Sequence, residues 1–546
     1  MAPYFIGVDV GTGSARAGIF DDSGRLMGSA KRAIMVWNEA GSIVEQSSEQ
    51  IWTAVCDSVK EALCGANIAV ADIAGIGFDA TCSLVVVDAE GAPLPVGPSG
   101  DPERNIMVWM DHRAAGEAEE INAGDHAVLN YVGGRISPEM ETPKLLWLKR
   151  NLPQTFAAAG HFFDLADYLT WRASGSLSRS ICTVTCKWTY LAHENRWDAD
   201  YFNDIGLGEL VTEGFSRIGM DVVEPGSPLG KGLTSKAATD LGLQSGTAVG
   251  AALIDAHAGG VGTLGGTLEG VAPDIRRRLA YVFGTSACSM ASSDKPVFVN
   301  GVWGPYYSAM IQGLWLNEGG QSAAGAAIDH LVSMHPASPG LRAEAEAAGT
   351  SLVAWLESEA GRMSDGLSNV VALAGSVHVV PEFLGNRSPH ADPDARAIIA
   401  GLGLDAADAN LVGLYVAGMC GIGYGLRQLL IRLKDDGLPI ELIIASGGAA
   451  QSDLVRQLLA DATNVAVTFA DTSEPVLLGA SMLAAVAAAR YPDLTAAMTA
   501  MSTISTVFRP AGGAIEKQHD IRYRAFQMLQ NVERDIRQVG RVNPSP

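Results

Sequence analysis

The sequence predicts an α/β protein of two related domains that face a shared cleft. At 546 residues the chain is too long for one hydrophobic core, so we expect two large domains. Short apolar strands alternate with amphipathic helices, which is typical of α/β folds. A strand–turn–strand segment at residues 5–20 is echoed by residues 279–290, about 270 residues later, which indicates an internal duplication.

The opening segment predicts a β-hairpin with strands Phe5–Val10 and Ala15–Phe20. Its turn consists of Gly11, Thr12, Gly13 and Ser14. Such a turn offers backbone N–H groups and small hydroxyls to an anion. Asp9 ends the first strand, where a carboxylate can hold a hydrated cation. The pattern indicates a nucleotide-phosphate site, although these residues alone are equally compatible with a ligand-free β-turn.

The rest of the first half continues the α/β alternation. We expect a helix over Glu49–Leu63 and strands over Ala74–Phe78, Leu84–Asp88 and Thr247–Ile254. Residues 100–200 are rich in tryptophan and proline, which suggests an elaborated region on a simpler scaffold. Most of those tryptophans are expected to pack in the core.

A second hairpin begins with strand Leu279–Phe283, and its turn consists of Gly284, Thr285 and Ser286. Farther on, strand Leu442–Ala445 runs into a Gly447-Gly448 turn, and a helix begins near Asp453. A glycine pair there lets a flat ligand approach the backbone closely. We place the domains at residues 1–265 and 275–546, with the boundary in the glycine-rich stretch between residues 262 and 274.

Asp255 is the sharpest single candidate for catalysis. It follows an apolar strand in a small-residue setting, where a carboxylate can accept the proton of a hydroxyl during phosphoryl transfer. A helix-capping aspartate is the alternative. Glu318 before a glycine pair and Lys187 are candidates for binding a polyol, with a helix cap and a solvated lysine as their alternatives. His257 is expected to pack or to support another residue.

Composition excludes several classes of partner. The formal net charge of -22 repels nucleic acid and anionic membranes, so neither partner is expected. The 7 cysteines form no C-x-x-C pair, which argues against a zinc site and favours reduced thiols in the cytoplasm. Asp9 interrupts the apolar start, so no signal peptide is expected. The uncharged stretches 411–426 and 476–489 are short for a membrane span and predict buried helices.

Two common nucleotide motifs match poorly. Residues 226–232 resemble a Walker loop but are one residue short and lack the Ser or Thr after Lys231. Residues 260–265 match G-x-G-x-x-G, but residues 262–270 indicate a loop rather than the start of a helix.

Taken together, the motifs resemble those of the FGGY family of carbohydrate kinases. The resemblance covers essentially the whole chain and implies two actin-like (ribonuclease H-like) ATPase domains with a cleft between them. It rests on six ordered words, which start at Gly7, Asp255, Phe283, Glu318, Gly385 and Ala445. Residues 77–86, Gly-Phe-Asp-Ala-Thr-Cys-Ser-Leu-Val-Val, look like the word of D-ribulose kinases and their close relatives.

The resemblance implies a role for each matching residue. Asp255 is then the catalytic base, and the sugar is held by Cys82, Asp111, Lys187 and Glu318. Asp9 faces hydrated Mg²⁺. One side of ATP is held by Gly11, Thr12, Gly13, Ser14 and Arg16. The other side is held by Gly284, Thr285, Ser286, Gly325, Gly447 and Gly448. At Gly13 relatives often carry Thr or Ser, which puts a side-chain role there in doubt.

The implied reaction is ATP-dependent phosphorylation of the terminal hydroxyl of a ketopentose, with D-ribulose first and ribitol, L-ribulose and D-xylulose as alternatives. The family also implies a homodimer. Two other functions stay open: a kinase of a different polyol, such as glycerol or a hexulose, and a non-enzymatic actin-like ATP clamp. The clamp would keep both hairpins but would not need Asp255, Glu318 and Lys187 together.

Overall fold

The structure is a computed structural model that describes residues 3–40, 42–267, 273–448, 451–504 and 506–542. Residues 268–272, in the middle of the proposed domain boundary, lie outside the described residues. So do Ala449 and Ala450, which follow the Gly447-Gly448 turn.

In the described part of the N-terminal half, the strands form sheets of six, five and two strands, which helices cover. Its strands are β1 Tyr4–Val10, β2 Ser14–Phe20, β3 Leu26–Ala33, β4 Trp37–Glu39, β5 Ile43–Gln46, β6 Ile73–Ala80, β7 Leu84–Val87, β8 Ile106–Met107, β9 His161–Asp164, β10 Arg179–Ser180, β11 Val222–Val223, β12 Ala248–Val249 and β13 Leu253–Ile254. Its α-helices are α1 Ser48–Ala66, α2 Ala115–Asn122, α3 Glu141–Asn151, α4 Pro153–Ala158, α5 Leu165–Ser174, α6 Ile181–Lys187, α7 Ala199–Asp204, α8 Gly208–Thr212, α9 Ser235–Leu241 and α10 Asp255–Leu264.

The C-terminal half is richer in long helices. Its strands are β14 Arg278–Phe283, β15 Ala287–Ser293, β16 Trp303–Tyr307, β17 Trp315–Gln321, β18 His378–Val380, β19 Ile398–Ala400, β20 Leu442–Ser446 and β21 Ala466–Phe469. Its α-helices are α11 Gly325–Ser333, α12 Ser338–Ala347, α13 Leu352–Met363, α14 Asp408–Asp435, α15 Asp453–Thr463, α16 Pro475–Ala487, α17 Leu494–Met501 and α18 Ala514–Val542. Short 3-10 helices lie at Val70–Asp72, Ala127–Val132, Ile275–Arg277 and Leu367–Ala374.

The two halves repeat one sheet topology. In the first sheet β3, β2 and β1 are antiparallel neighbours, and β6 and β12 continue in parallel. In the second, β17, β15 and β14 are antiparallel neighbours, and β20 and β21 continue in parallel. The predicted internal duplication is therefore present, and the predicted α/β fold of two related domains is confirmed.

Local sequence explains the first helix, which lies against β2 and β3. The Ser47 side chain accepts a hydrogen bond from the Gln50 N–H and so caps the N-terminus. Ile51, Val55 and Val59 are buried at helical spacing and form the face that packs on the sheet. Asn67 ends the helix in the left-handed region.

Helix α16 returns from the C-terminal half and packs on the first sheet. A Cβ at Gly7 would lie 2.0 Å from the Leu477 carbonyl oxygen, so only glycine allows the strand and the helix to approach this closely. Helix α10 crosses α16 in the same way, because a Cβ at Gly479 would lie 1.9 Å from the Ala258 carbonyl oxygen. The two helices therefore join the halves through close backbone contacts.

Two expectations about local structure were wrong. The strand expected over residues 247–254 is two short strands, β12 and β13, separated by residues 250–252. Residues 262–264, expected in a loop, are the last turn of α10. Its glycines are tolerated there because Gly262 lies against the Pro475 carbonyl, where a Cβ would be 2.0 Å away.

Both long uncharged stretches form buried helices, as expected. Among the described residues one helix, α14, is long and apolar enough to cross a membrane. Of its most apolar window, 89% is buried inside the protein, which is the burial of a core helix. The second stretch falls in α16, which is buried between the halves.

Candidate active site

Three carboxylates meet where strands of the first sheet end. Asp9 lies beside Asp79 in the parallel pairing of β1 with β6. On the other side of β6, Leu253 pairs with Asp79, and Asp255 follows as the first residue of α10. Because these strands end at one edge of the sheet, residues far apart in sequence bring their carboxylates together.

Arg16 ties the first turn to the C-terminal half. Its Nε donates to Asp9 Oδ2 at 2.6 Å, and its second nitrogen donates to Glu474 Oε2 at 2.7 Å. Burial disfavours the guanidinium charge, but these two carboxylates outweigh it and raise the pKa of Arg16. The predicted phosphate-binding arginine is therefore held in place between the two halves.

Asp79 is fully buried, and neither of its carboxylate oxygens has a hydrogen-bond partner among the described residues. Burial, followed by the charge of Asp9, raises the pKa of Asp79 well above its ordinary value. The same two causes raise the pKa of Asp255 to about 6. A carboxylate of that pKa accepts a proton more readily than an ordinary aspartate.

One cavity of about 290 Å³ collects most of the predicted catalytic and sugar-binding residues. The residues that line it include Asp9, Gly11, Thr12, Arg16, Thr81, Cys82, Trp109, Glu139, Lys187, Asp255, Ser286, Trp303, Glu318 and Arg387. Both hairpin turns reach this cavity, the first through Gly11 and Thr12 and the second through Ser286.

Lys187 and Glu318 face this cavity from opposite halves of the chain. Lys187 is buried at the end of α6, and its Nζ lies 4.9 Å from the centroid of the Trp303 ring. Burial disfavours the ammonium charge, but negative groups that include Glu318 and Glu139 raise the pKa of Lys187. Lys187 is therefore a charged donor that a sugar oxygen can accept from.

Glu318 is held by a histidine that the sequence placed only in a packing or supporting role. His257 Nε2 lies 3.3 Å from Glu318 Oε2, and His257 Nδ1 lies 3.1 Å from Cys182 Sγ. Burial disfavours the negative charge of Glu318 and raises its pKa. The hydrogen bond with His257 outweighs burial, and the net result is a pKa of about 2 for Glu318. Glu318 is thus an ionised acceptor with one oxygen already oriented.

Cys82 lines the cavity as a neutral thiol. Its side chain is buried, and burial raises its pKa to about 12. The surrounding backbone is ordered by Thr81, whose N–H donates to the Val10 carbonyl, and by Ser83, whose hydroxyl accepts from the Trp109 N–H. The segment is therefore a rigid wall of the cavity.

Asp111 does not line the cavity, so its predicted sugar-side position was wrong. Its carboxylate is fully buried and is occupied by the Arg113 guanidinium and by the Val44 N–H at 2.7 Å. Arg113 also donates to Glu45 at 2.9 Å. A carboxylate saturated by such a buried network has no free oxygen for a sugar.

A second cavity of about 310 Å³ adjoins the first. Arg16, Val282 and Val476 line both cavities, and Gly447 and Gly448 line the second. Gly447 has a φ of 93°, and a Cβ there would lie 2.4 Å from the Phe283 carbonyl oxygen. The volume and the glycine pair suit a nucleoside whose phosphates extend toward the first cavity.

The remaining predicted ATP residues lie in or behind the turns and outside the linings of both cavities. These residues are Gly13, Ser14, Gly284, Thr285 and Gly325. Gly325 was expected near the nucleoside but packs behind the second turn, where its N–H donates to the Gly284 carbonyl at 2.9 Å. A Cβ at Gly325 would lie 2.7 Å from that oxygen, so the turn requires glycine there.

Sequence reasoning missed several residues that line the first cavity. Glu139 and Trp303 follow no motif, and Arg387 was noted only as part of a family word. The Arg387 guanidinium carbon lies 5.2 Å from the centroid of the Trp303 ring. Burial raises the pKa of Glu139, but the hydrogen bond with His112 and nearby positive charges lower it, so its pKa is below the ordinary value. A tryptophan among charged residues could have indicated a sugar site, but tryptophans are common in protein cores and the pattern is weak.

The cysteines did form a cluster that spacing did not reveal. Ligand atoms of Cys182, Cys186 and His257 lie within 4.8 Å of one another. The pair is four residues apart on α6, and the histidine comes from α10. Both cysteines are free thiols in the structure.

The acidic edge of the first sheet fits a hydrated magnesium ion. Carboxylate oxygens are the ligands that Mg²⁺ prefers, and it usually keeps several of its waters. Asp9 and Asp255 line the cavity, and the buried Asp79 between them has unpartnered oxygens.

Two adjoining cavities thus lie between duplicated α/β halves, and they are lined by residues of both turns and by a carboxylate of raised pKa. The N-terminal domain of the "FGGY family of carbohydrate kinases" matches residues 4–262, and its C-terminal domain matches residues 279–488. The chain belongs to the FGGY family of carbohydrate kinases. It is a sugar kinase.

Individual relatives agree with this assignment. The chain is 44% identical over 532 residues to the FGGY carbohydrate kinase domain-containing protein of Homo sapiens, covering 96% of each chain. It is 38% identical over 521 residues to a D-ribulokinase of Saccharomyces cerevisiae, covering 90% of this chain and 73% of that protein.

Solved structures show the same fold. A xylulose kinase from Rhodospirillum rubrum has a TM-score of 0.79 at 22% identity, over 98% of this chain and 99% of that one. A glycerol kinase from Plasmodium falciparum with ADP has a TM-score of 0.76 at 16% identity, over 98% of both chains.

Proposed function

We propose that this kinase transfers the ATP γ-phosphoryl group to the terminal hydroxyl of a ketopentose, with D-ribulose as the first candidate. The observation that carries the proposal is the convergence of Asp255, Lys187 and Glu318 on one cavity of about 290 Å³. The D-ribulokinase of yeast, at 38% identity, supports ribulose among the ketopentoses. Ribitol, L-ribulose and D-xylulose are the alternatives.

In this proposal Asp255 is the catalytic base. Its carboxylate accepts the proton of the terminal hydroxyl as the sugar oxygen bonds to the γ-phosphorus and the bond to the ADP oxygen breaks. The pKa of about 6 leaves Asp255 ionised at neutral pH, yet more basic than an ordinary aspartate. Because Asp255 lines the cavity, its carboxyl can pass the proton to solvent after the product leaves.

The sugar is held by a donor and an acceptor of fixed position. Lys187 donates to a sugar oxygen, and Glu318 accepts from a sugar hydroxyl with the oxygen that His257 leaves free. Trp303, beside the Lys187 ammonium, also lines the cavity and contributes apolar surface to it. One positive donor and one negative acceptor together recognise an uncharged, polyhydroxylated sugar.

The phosphates lie between the two turns. Gly11 and Thr12 approach from the first half and Ser286 from the second, and Arg16 stands beside both cavities. Asp9 would hold a hydrated Mg²⁺, which would supply positive charge beside the phosphates. Closure of the halves would exclude water, which otherwise competes with the sugar as phosphoryl acceptor.

A substrate panel tests the proposal. ADP release is measured in a coupled assay with D-ribulose, L-ribulose, D-xylulose, ribitol and glycerol, and with no sugar. We expect the highest kcat/KM for D-ribulose. A higher kcat/KM for glycerol or ribitol than for every ketopentose would overturn the ketopentose assignment. Omission of Mg²⁺ with added chelator should abolish turnover.

Variants connect the activity to the site. Asp255→Asn should abolish phosphorylation and leave ATP binding intact. Asp200→Asn is the matched control, because Asp200 is an exposed aspartate on α7 that lines neither cavity. Loss of activity in both variants would show that the first change acts through something other than the proposed base.

A further inference from the structure

Two cysteines and a histidine meet behind the wall of the first cavity and form the thiol–imidazole cluster. Cys182 and Cys186 are four residues apart on α6, so their side chains lie on one face of that helix, and His257 comes from α10. All three residues are buried, and neither cysteine lines either cavity. The proposed phosphoryl transfer therefore leaves both thiols without a role.

We propose that the thiol–imidazole cluster binds one zinc ion. Zinc in proteins bonds thiolate sulfur at about 2.3 Å and imidazole nitrogen at about 2.0 Å. The three ligand atoms lie within 4.8 Å of one another, so all are within about 2.8 Å of a common point. Side-chain shifts of less than about 1 Å bring them to zinc distances. The lack of a C-x-x-C pair did not reveal this set, because its third ligand comes from a second helix.

The far side of the histidine is arranged as it is in metal sites. A histidine that ligates a metal usually donates its other ring N–H to a carboxylate or carbonyl, which fixes the tautomer. His257 Nε2 lies 3.3 Å from Glu318 Oε2, while Nδ1 lies 3.1 Å from Cys182 Sγ. The Ile254 N–H also donates to Cys182 Sγ at 3.4 Å. Two of the three ligands are thus held in place from behind.

Zinc fits this buried place because it adds no net charge. Burial disfavours a thiolate at Cys182, but the Cys186 thiol and His257 outweigh burial and lower the pKa of Cys182. Burial also disfavours the imidazolium of His257, but the Cys182 thiolate outweighs burial and raises the pKa of His257. When Zn²⁺ enters, Cys186 and His257 each release one proton, so two positive charges enter and two leave. Binding is pure exchange and needs no oxidant.

A water molecule can complete the fourth zinc position. Tyr306 is fully buried, and its hydroxyl has no hydrogen-bond partner among the described residues. Burial, and then the nearby Cys186 thiol, raises the pKa of Tyr306 well above its ordinary value. Buried hydroxyls are normally paired, and a zinc-bound water beside Cys186 would supply the partner.

The first cavity offers the metal a route to the cluster. Ile254, Lys187 and Glu318 line that cavity, and each is bonded to a member of the cluster or adjacent to one in sequence. Mg²⁺ should not compete for the cluster, because it prefers oxygen ligands and keeps most of its waters. The zinc site is therefore separate from the acidic edge of the first sheet.

Titration with cobalt and zinc tests the proposal without sugar or nucleotide present. The full chain is reduced, stripped with a chelator, desalted and titrated with Co²⁺, whose bonds to thiolate give a charge-transfer absorption band. We expect the band to saturate at one Co²⁺ per chain, to disappear when Zn²⁺ is added and to be unaffected by Mg²⁺. Because the assay reports metal binding alone, its result is independent of which sugar the kinase phosphorylates.

Variants assign the metal to the cluster. Cys182→Ser and Cys186→Ser should each weaken zinc binding about 100-fold or more, because a thiolate ligand is lost. Zinc should raise the Tm of the wild type and not that of either variant, since a ligand that binds only the folded chain stabilises it. ATP binding by calorimetry shows that each variant is folded.

Two other cysteines serve as controls. Cys420→Ser changes a buried cysteine of α14, and Cys64→Ser removes an exposed thiol that is open to adventitious metal. Both should bind zinc as the wild type does. A wild-type chain that gives no saturating cobalt band would overturn the proposal. A band that is lost in Cys64→Ser but survives in Cys182→Ser and Cys186→Ser would also overturn it.

Discussion

The pH dependence of turnover should follow the ionisation of Asp255. Burial and then the charge of Asp9 raise the pKa of its carboxyl to about 6, from an ordinary value of 3.8. A general base works only when it is deprotonated. We therefore expect kcat/KM to be constant above pH 7 and to fall tenfold per pH unit below about pH 6.

The variant Asp255→Asn removes the proton acceptor and keeps the shape of the side chain. General-base catalysis typically contributes about 100- to 10,000-fold, so we expect a loss of that size in kcat. The nucleotide contacts lie on the turns and in the second cavity, so the dissociation constant for ATP should stay within about twofold. The acidic limb of the pH profile should disappear with the base.

The measurement is a coupled ADP assay from pH 5 to pH 8, with ATP binding by calorimetry in parallel. The variant Asp9→Asn makes the test more specific. Loss of the Asp9 charge should lower the pKa of Asp255, so the midpoint of the pH profile should fall below pH 6 even as overall activity falls. Asp200→Asn should reproduce the wild-type curve. Wild-type turnover by Asp255→Asn, or a wild-type limb centred near pH 4, would refute the reasoning.

Three further predictions concern sugar binding and the frame of the site. Lys187→Ala should raise the KM for sugar at least about tenfold and leave the KM for ATP unchanged, because a charged donor is lost; the reverse pattern in steady-state kinetics would contradict this. His257→Gln should raise the KM for sugar more than it lowers kcat, because Glu318 loses the imidazolium that orients it; unchanged kinetics would show that Glu318 needs no support. Gly77→Ala should lower the unfolding free energy by about 1–3 kcal/mol or more, because its Cβ would lie 2.1 Å from a carbonyl oxygen of α16. Gly116→Ala is its control in thermal unfolding, because nothing lies within 4 Å of that Cβ, and it should be neutral or stabilising.

Much of the fold could be predicted because the pattern of each helix or strand lies within a short stretch of sequence. The first hairpin follows from two apolar runs around a turn of glycine and small hydroxyl residues, and its register matches that reading. Helix α1 follows from apolar residues at helical spacing. Such patterns depend on neighbours only a few residues away.

The prediction failed where distant residues override the local pattern. Residues 262–264 have the glycine content of a loop, yet they are helical because α16 packs directly against them. Asp111 sits in a word that resembles a sugar site, yet Arg113 and the Val44 N–H occupy its carboxylate. Neither partner of these contacts can be recognised from the segment itself.

The sequence by itself determined the strand and helix periods, the two phosphate-type turns and the family words that mark a sugar kinase. Only the tertiary structure decided which side chains share a cavity and in what charge state. Asp9 and Asp255 come from the ends of separate strands, and burial together with the charge of Asp9 raises the pKa of Asp255. Local sequence sets backbone preference over a few residues, whereas burial and long-range charge exist only once the chain has closed around them.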